Sequence, residues 1–203
     1  AASLKLAPRP QSEGTALFTV DSPSAALDLL GRAKGILGES ISAFELISGQ
    51  GLRFLAETHP QMRQPWSSPP DWSILLHLGV SNGAGAEQAI EALFEQASDM
   101  ILDGVIAQSA QQAQDLWSLR ETIPLANRAI GAICSSDISL PLSEIASFIA
   151  KMPVALARYG DIRINCFGHL GDGNLHYNLF PAAGMAASDY RALRADLHAE
   201  GHR

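Results

Sequence analysis

The sequence is poor in cysteine and contains no long apolar run. Its two cysteines, Cys134 and Cys166, are too few for a disulfide scaffold and lack the Cys-x-x-Cys spacing of a metal site. So little cysteine is typical of a reducing compartment, which favours a cytoplasmic location. No apolar run approaches the length of a transmembrane helix. A Gly-rich dinucleotide fingerprint and a P-loop are both missing, so the chain carries no nucleotide-binding motif of its own.

Charged residues are also scarce. They make up 17% of the 203 residues, against 47% hydrophobic residues, which excludes an intrinsically disordered protein. Lys and Arg number 14 and Asp and Glu number 21, which gives a net charge of -7. Proteins that follow nucleic-acid phosphates or bind anionic membranes through basic residues carry the opposite sign. We therefore expect no nucleic-acid partner.

Short apolar strands alternate with amphipathic helices along the chain. Strands are expected over 16–20, 41–47, 72–80, 101–107, 137–140, 162–167 and 174–180. Helices are expected over about 23–37, 85–100, 110–121, 141–159 and 188–203, with a kink at Pro153 and a proline-rich loop over 58–71. This order predicts an α+β fold with antiparallel sheets, helices on one face and two ferredoxin-like (split βαβ) halves.

The segment Ile162–Pro181 predicts a β-hairpin with chemically useful side chains. Its Asp172-Gly173 pair lies between alternating apolar runs, which favours a two-residue primed turn. Such a turn would place His169 directly opposite His176, with Cβ atoms about 5 Å apart. The same strand face carries three asparagines where Lys, Glu and Thr would be ordinary: Asn165, Asn174 and Asn178.

This pattern leaves two interpretations of the histidine pair. His169 and His176 could share one divalent metal ion, which would need a third ligand, preferably a carboxylate, from elsewhere in the protein. Alternatively, the hairpin is simply solvated and each histidine hydrogen-bonds locally.

A second candidate is Arg120, which lies on an otherwise apolar helix stripe with Ala113, Leu116 and Trp117. A planar guanidinium in this position suits bidentate binding of a substrate carboxylate. The alternative is a structural arginine that extends past Trp117 or pairs with Glu121 or another acid.

Three segments resemble the C-terminal, substrate-side domain of the FAD-linked oxidases. They are GHLGDGNLH at 168–176, LWSLRETIP at 116–124 and SDISLPLSEI at 136–145. The members concerned are of the D-lactate dehydrogenase, D-2-hydroxyglutarate dehydrogenase and glycolate oxidase types. Residues 1–10 resemble the stretch that leaves the FAD-binding domain in that family. The resemblance implies that residues 1–203 form the substrate-side domain, whereas FAD is bound mainly by an N-terminal domain absent from this sequence.

The resemblance also implies roles for individual residues. His169 and His176 correspond to catalytic metal ligands, for zinc in particular. Arg120 corresponds to the group that binds the substrate carboxylate, and Asn178 helps to hold the substrate. The implied reaction is oxidation of a D-2-hydroxy acid such as D-lactate, D-2-hydroxyglutarate or glycolate to the 2-oxo acid, with hydride transfer to FAD.

Departures from the family pattern modify these expectations. The chain stops before the family's Ser-Ala-Glu-His-Gly segment, which supplies the third metal ligand and the base. We therefore expect an incomplete metal site and an inactive isolated chain. Ser135 stands where the family often has a substrate-contacting lysine, which weakens the case for a dicarboxylate substrate. Apolar surface that would face the FAD domain favours a homo-oligomer.

Two other functions compete with the dehydrogenase. One is a non-catalytic ferredoxin-like module for ligand binding or dimerisation. The other is a small metal-dependent hydrolase built on the histidine pair, which would need a nucleophile or base beside the metal, and no such residue is evident in the sequence.

Overall fold

Seven antiparallel strands form one sheet in the computed structural model, which describes residues 9–81 and 85–200, with the side chains of 198–200 left out. The strands are β1 (Ser12–Val20), β2 (Ile41–Ser48), β3 (Trp72–Val80), β4 (Asp103–Ile106), β5 (Cys134–Ser139), β6 (Ile162–His169) and β7 (Asn174–Pro181). The helices are α1 (Pro23–Leu37), α2 (Gly49–Thr58), α3 (Ala86–Gln96), α4 (Ala110–Ile130), α5 (Leu142–Leu156) and α6 (Arg191–Glu200). Residues 1–8, with the proposed link to an FAD domain, and 201–203 of the predicted last helix lie outside the described residues.

The strand order β4-β1-β3-β2-β6-β7-β5 contains two related halves. In the first half, β3 lies between β1 and β2, and β1 lies between β3 and β4, as in two interlocked split βαβ units. In the second half, β7 lies between β5 and β6 in the same way. The predicted α+β class is confirmed, and the second half contributes three strands of the ferredoxin-like pattern within the described residues.

Helices cover both faces of this sheet, whereas the sequence pattern placed them on one face. One apolar cluster packs against α1, α3 and α5, and the other packs against α2 and α4. The reason is visible in β1, where Ala16 and Phe18 join the first cluster and Leu17, between them, joins the second. Since all three side chains are fully buried, neither face of the strand can be left to solvent.

Helices α2 and α4 depart most from the predicted pattern, whereas α3 and α5 are each a few residues shorter than predicted. Helix α2 was not predicted, although Leu52 and Leu55 bury its apolar side against the sheet. Helix α4 was expected to end near Glu121 but continues through Pro124 to Ile130. Proline removes one backbone hydrogen bond. The helix nevertheless continues because Ile123 and Ala126, on either side of the proline, extend its buried face.

The two halves join through β2 and β6. These strands pair over three positions, Glu45 with His169, Leu46 with Gly168 and Ile47 with Phe167. Hence Glu45 and the first hairpin histidine are cross-strand partners at the junction. Within residues 9–81 and 85–200, no helix combines the length and the hydrophobicity needed to cross a membrane.

Candidate active site

The β6–β7 hairpin differs from its predicted register by two residues. His169 pairs with Asn174, and His176 pairs with Phe167. The prediction of a direct histidine pair is therefore wrong. A shift of two residues preserves the alternation of faces, so the imidazoles still share one face, as diagonal neighbours with ring centroids 6.5 Å apart.

A four-residue loop, rather than the predicted Asp172-Gly173 turn, produces this register. Leu170 starts the loop and is fully buried in the core. Gly173 closes it in the left-handed region at φ 71°, and its N–H donates to the Leu170 carbonyl at 3.2 Å. A Cβ at position 173 would lie 2.3 Å from the Leu140 carbonyl oxygen, so only glycine fits there.

Glu45 connects two of the predicted site residues. Its Oε2 accepts a hydrogen bond from Arg120 Nε at 2.9 Å, and its Oε1 lies 2.5 Å from His169 Nδ1. The Glu45 side chain is only 3% exposed, and a carboxylate so deeply buried requires a compensating charge. Sequence reasoning missed Glu45, although a single acid inside the apolar run ISAFELIS is a signal of a partnered buried charge.

Arg120 lies on the buried side of α4, as its helical stripe predicted. Its pairing with an acid is real, but the acid is Glu45 of β2 and not the neighbouring Glu121. The Arg120 Cζ lies 4.8 Å from the ring centre of Phe167. Only Nε is hydrogen-bonded among the described residues, so the two terminal nitrogens remain available to a ligand.

His176 has its own carboxylate, supplied by Asp137 of β5. The two residues are cross-strand partners, and Asp137 Oδ1 lies 2.5 Å from His176 Nδ1. An ionised carboxylate only accepts hydrogen bonds, so Nδ1 is the donor in this pair and in the pair between Glu45 and His169. Each neutral imidazole therefore keeps an unprotonated Nε2.

Two cavities adjoin these residues. The first, of about 490 Å³, is lined by Arg120 and His169 together with Glu45, Trp117 and Lys34. The second, of about 450 Å³, is lined by His176 and Asn178 together with Asn127, Arg128, Ser135 and Asp137. The structure thus brings Arg120 and His169 together, and it places His176 and Asn178 in the neighbouring cavity. The Phe167 ring contacts both sets, since its centroid also lies 4.8 Å from that of His176.

The asparagines of the hairpin have different surroundings. Asn165 is fully buried and binds the side chains of Ser48 and Asn127 at 2.9 and 2.8 Å, so it faces no ligand. Asn127 accepts this bond through Oδ1, which leaves its amide N–H groups for the second cavity. Asn178 is 7% exposed and lines the same cavity, and its side-chain amide has no hydrogen-bond partner among the described residues.

Imidazole nitrogen is a donor that zinc binds readily, so the chemistry of His169 and His176 fits a shared metal ion. A zinc–nitrogen bond of about 2.0 Å places two imidazole centres on a tetrahedral ion about 5 Å apart. The observed 6.5 Å would therefore have to shorten by about 1.5 Å for both rings to bind one ion. Within residues 9–81 and 85–197, no three His, Cys, Asp or Glu side chains are grouped for a metal, so the described donor set is the two imidazoles. Their role as ligands stays a prediction.

Neither cysteine supplies a nucleophile to this site. Both thiols are free, and Cys166 projects from the opposite face of β6 into the core. Burial raises the pKa of the Cys166 thiol to about 12, so it is protonated at neutral pH. Cys134 is half-buried and lines neither cavity.

Known proteins of one family are similar to this chain in sequence. The family model described as "FAD linked oxidases, C-terminal domain" matches residues 9–195. The chain is 32% identical over 183 residues to a mitochondrial D-2-hydroxyglutarate dehydrogenase of Arabidopsis thaliana, which covers 89% of this chain and 32% of that protein. It is also 32% identical over 184 residues to a putative mitochondrial D-lactate dehydrogenase of Schizosaccharomyces pombe, covering 84% of this chain and 35% of that protein. The chain thus spans about a third of the length of these relatives.

Solved structures share the fold at low sequence identity. The crystal structure of p-cresol methylhydroxylase with substrate bound matches with a TM-score of 0.56 and 13% identity, over 94% of this chain and 42% of that chain. A 4-ethylphenol oxidase from Gulosibacter chungangensis matches with a TM-score of 0.52 and 10% identity, over 98% of this chain and 45% of that chain. These two structures support the fold alone.

Proposed function

Because this chain belongs to the family of C-terminal domains of FAD-linked oxidases, we propose that it is the substrate-side domain of an FAD-dependent dehydrogenase that oxidises a D-2-hydroxy acid to the 2-oxo acid. The observation that carries the proposal is the meeting of Arg120 and His169 at one cavity, with His176 on the same face of the sheet. The names of the relatives supply the substrate class, since they include D-2-hydroxyglutarate and D-lactate dehydrogenases.

Arg120 binds the substrate carboxylate in this proposal. Its Nε is bonded to Glu45 and its Cζ lies over the Phe167 ring, so these two contacts orient the guanidinium before substrate arrives. Two parallel N–H···O bonds from Nη1 and Nη2 would hold the carboxylate in one plane. A carboxylate fixed in this way supplies one of the contacts needed to select one enantiomer, and contacts to the hydroxyl and to the hydride acceptor would supply the others.

His169 and His176 would hold a divalent metal ion through their Nε2 atoms. Such an ion, when bound, lowers the pKa of the substrate hydroxyl and polarises it. FAD, bound by a separate domain of the full-length protein, would supply the hydride acceptor. The family's Ser-Ala-Glu-His-Gly segment would supply the base that takes the hydroxyl proton. The apolar ring of Phe167, 2% exposed between Arg120 and His176, keeps water from the space next to the substrate.

The second cavity would receive the rest of the substrate. Asn178 and Asn127 both offer amide groups to it, and Arg128 lines its edge. Ser135, at the position of the family's lysine, pairs with Asn178 across β5 and β7 and lines the same cavity. The guanidinium of Arg128, on α4, would thus replace the missing lysine as the cation opposite a second carboxylate. Because 2-hydroxyglutarate has a second carboxylate and lactate has none, this favours 2-hydroxyglutarate.

The test is anaerobic reduction of the flavin in the full-length protein. D-2-Hydroxyglutarate, D-lactate and glycolate are mixed in turn with the purified holoprotein, and bleaching of the FAD absorbance is recorded. L-2-Hydroxyglutarate and L-lactate are the controls for the two chiral acids. We expect reduction by a D-acid and none by its L-enantiomer. The 203-residue chain alone should give no turnover of D-lactate with an artificial electron acceptor.

A flavin that stays oxidised with all three acids would refute the proposal. Binding of the same acids without reduction would support a non-catalytic ligand-binding module instead.

A further inference from the structure

Glu45 is a buried acid whose position stability alone does not explain. It lies in the interior strand β2, and Arg120 and His169 both contact its carboxylate. Buried ion pairs contribute little net stability, because the cost of removing both charges from water offsets their attraction. An apolar residue in the middle of this strand would serve the core at least as well. The position of Glu45 is better explained by the two side chains that it orients.

The two oxygens of Glu45 have different tasks. Oε2 binds Arg120 at Nε, the one guanidinium nitrogen that a carboxylate approaching end-on does not need. Oε1 binds His169 at Nδ1, which fixes the proton there and leaves Nε2 open. A single carboxylate therefore sets the orientation of two side chains that face the same cavity.

Asp137 makes the same contact with His176 that Glu45 makes with His169. It binds Nδ1 of His176 at 2.5 Å from the neighbouring strand, but its side chain is 75% exposed. A solvated aspartate contributes little to the core. Two acids from different strands, one buried and one exposed, thus make the same contact with the two histidines that share a face.

We propose that Glu45 and Asp137 are positioning residues, which hold His169 and His176 with the proton on Nδ1, and that Glu45 also aligns Arg120. The inference rests on the proposed function, since it names the groups that prepare the same site for a metal and a carboxylate. Carboxylate partners of this kind fix the tautomer of a metal-binding histidine and raise its basicity. The proposal concerns the tautomers in the metal-free chain, so it can be tested without activity.

The experiment measures tautomers by long-range ¹H–¹⁵N NMR of the histidine-labelled 203-residue chain at pH 8. We expect His169 and His176 both to carry the proton on Nδ1. Glu45→Gln should shift the His169 population towards the Nε2-protonated form and leave His176 unchanged, whereas Asp137→Ala should do the reverse. Glu57→Gln is the matched control, because Glu57 also pairs with an arginine, Arg163, but lies outside both cavities.

A second measurement uses Co²⁺ alone as the probe. If the wild-type chain binds Co²⁺, each positioning variant should weaken that binding by at least about tenfold, and Glu57→Gln should not. If the wild-type chain binds no Co²⁺, the NMR measurement of the histidine tautomers alone tests the inference. Because Asp137 is exposed, Asp137→Ala should fold even if Glu45→Gln does not, so the histidine inference stays testable.

Two results would overturn the inference. One is a wild-type spectrum with the proton on Nε2 of either histidine. The other is a positioning variant whose tautomers match those of the Glu57→Gln control. Failure of flavin reduction in the full-length protein with the tautomers as expected would instead count against the proposed function alone.

Discussion

Replacing Arg120 by lysine separates its binding role from its structural role. In the folded chain, Nε is bonded to Glu45 at 2.9 Å and Arg120 lines the first cavity. Lysine keeps the positive charge but has one nitrogen, so it can stay near Glu45 or reach the substrate, and it cannot do both in the planar geometry of the guanidinium.

The size of the effect follows from the bonds that are lost. A hydrogen bond to a charged group is worth about 1.5–3 kcal/mol, and each 1.4 kcal/mol is a factor of about ten in rate. A lysine that stays beside Glu45 loses at least one of the two bonds to the substrate carboxylate, so kcat/KM should fall by at least about 10-fold. Stability should change little, because the buried carboxylate of Glu45 keeps a cationic neighbour. Arg120→Met, by contrast, leaves Glu45 uncompensated and should cost about 3–5 kcal/mol.

The assay is steady-state oxidation of a D-2-hydroxy acid by the full-length protein, with circular dichroism and urea unfolding of each variant. Arg163→Lys is the matched control. Arg163 also pairs with an acid, Glu57, at 3.0 Å, and also stacks on a ring, with its Cζ 4.8 Å from the centre of Phe54, but it lies outside both cavities. Normal kinetics of Arg120→Lys, or an equal loss in Arg163→Lys, would refute the carboxylate-binding role.

Three other perturbations test separate parts of the structure. Arg128→Ala should lower kcat/KM for D-2-hydroxyglutarate by about tenfold and leave D-lactate unaffected; parallel losses would disprove its contact with a second carboxylate. Gly173→Ala should destabilise the chain by at least about 1–2 kcal/mol in urea, owing to φ 71° and the Leu140 carbonyl; unchanged unfolding would contradict this. A thiol reagent should label Cys134 quickly and Cys166 only on unfolding. Because the pKa of Cys166 is about 12 only when folded, stability should fall as the pH rises above about 9.

Local patterns predicted the features that depend on local periodicity. The strand β3 and the helix α1 have the predicted bounds, and the stripe of Arg120 and Trp117 on α4 is buried or half-buried as expected. The shared face of His169 and His176 also followed from alternation along two strands, and it survived a wrong register because the error was an even number of residues.

Contacts between distant segments were beyond those patterns. Glu45 is 124 residues from His169 and 75 from Arg120, so no periodicity connects them. The sequence did not predict the four-residue loop between β6 and β7. Its length depends on the burial of Leu170 and on the close approach of Leu140 to Gly173, which are tertiary contacts. The helical stripe therefore predicts an arginine on an apolar face, but it does not identify Glu45 as the partner.

The short junction between β2 and β6 would couple ligand binding at the proposed site to the stability of the sheet. Its ladder has three residue pairs, against nine between β1 and β3, and two of the three pairs involve Glu45 with His169 and Ile47 with Phe167. A short ladder is where local opening, and hence amide exchange, should be fastest. A ligand bound by both Arg120 and His169 would stabilise the paired strands, because its binding free energy would be lost whenever they separate. Ligand binding would therefore shift the β2–β6 junction towards its paired state, and slower hydrogen exchange of the β6 amides would report that shift.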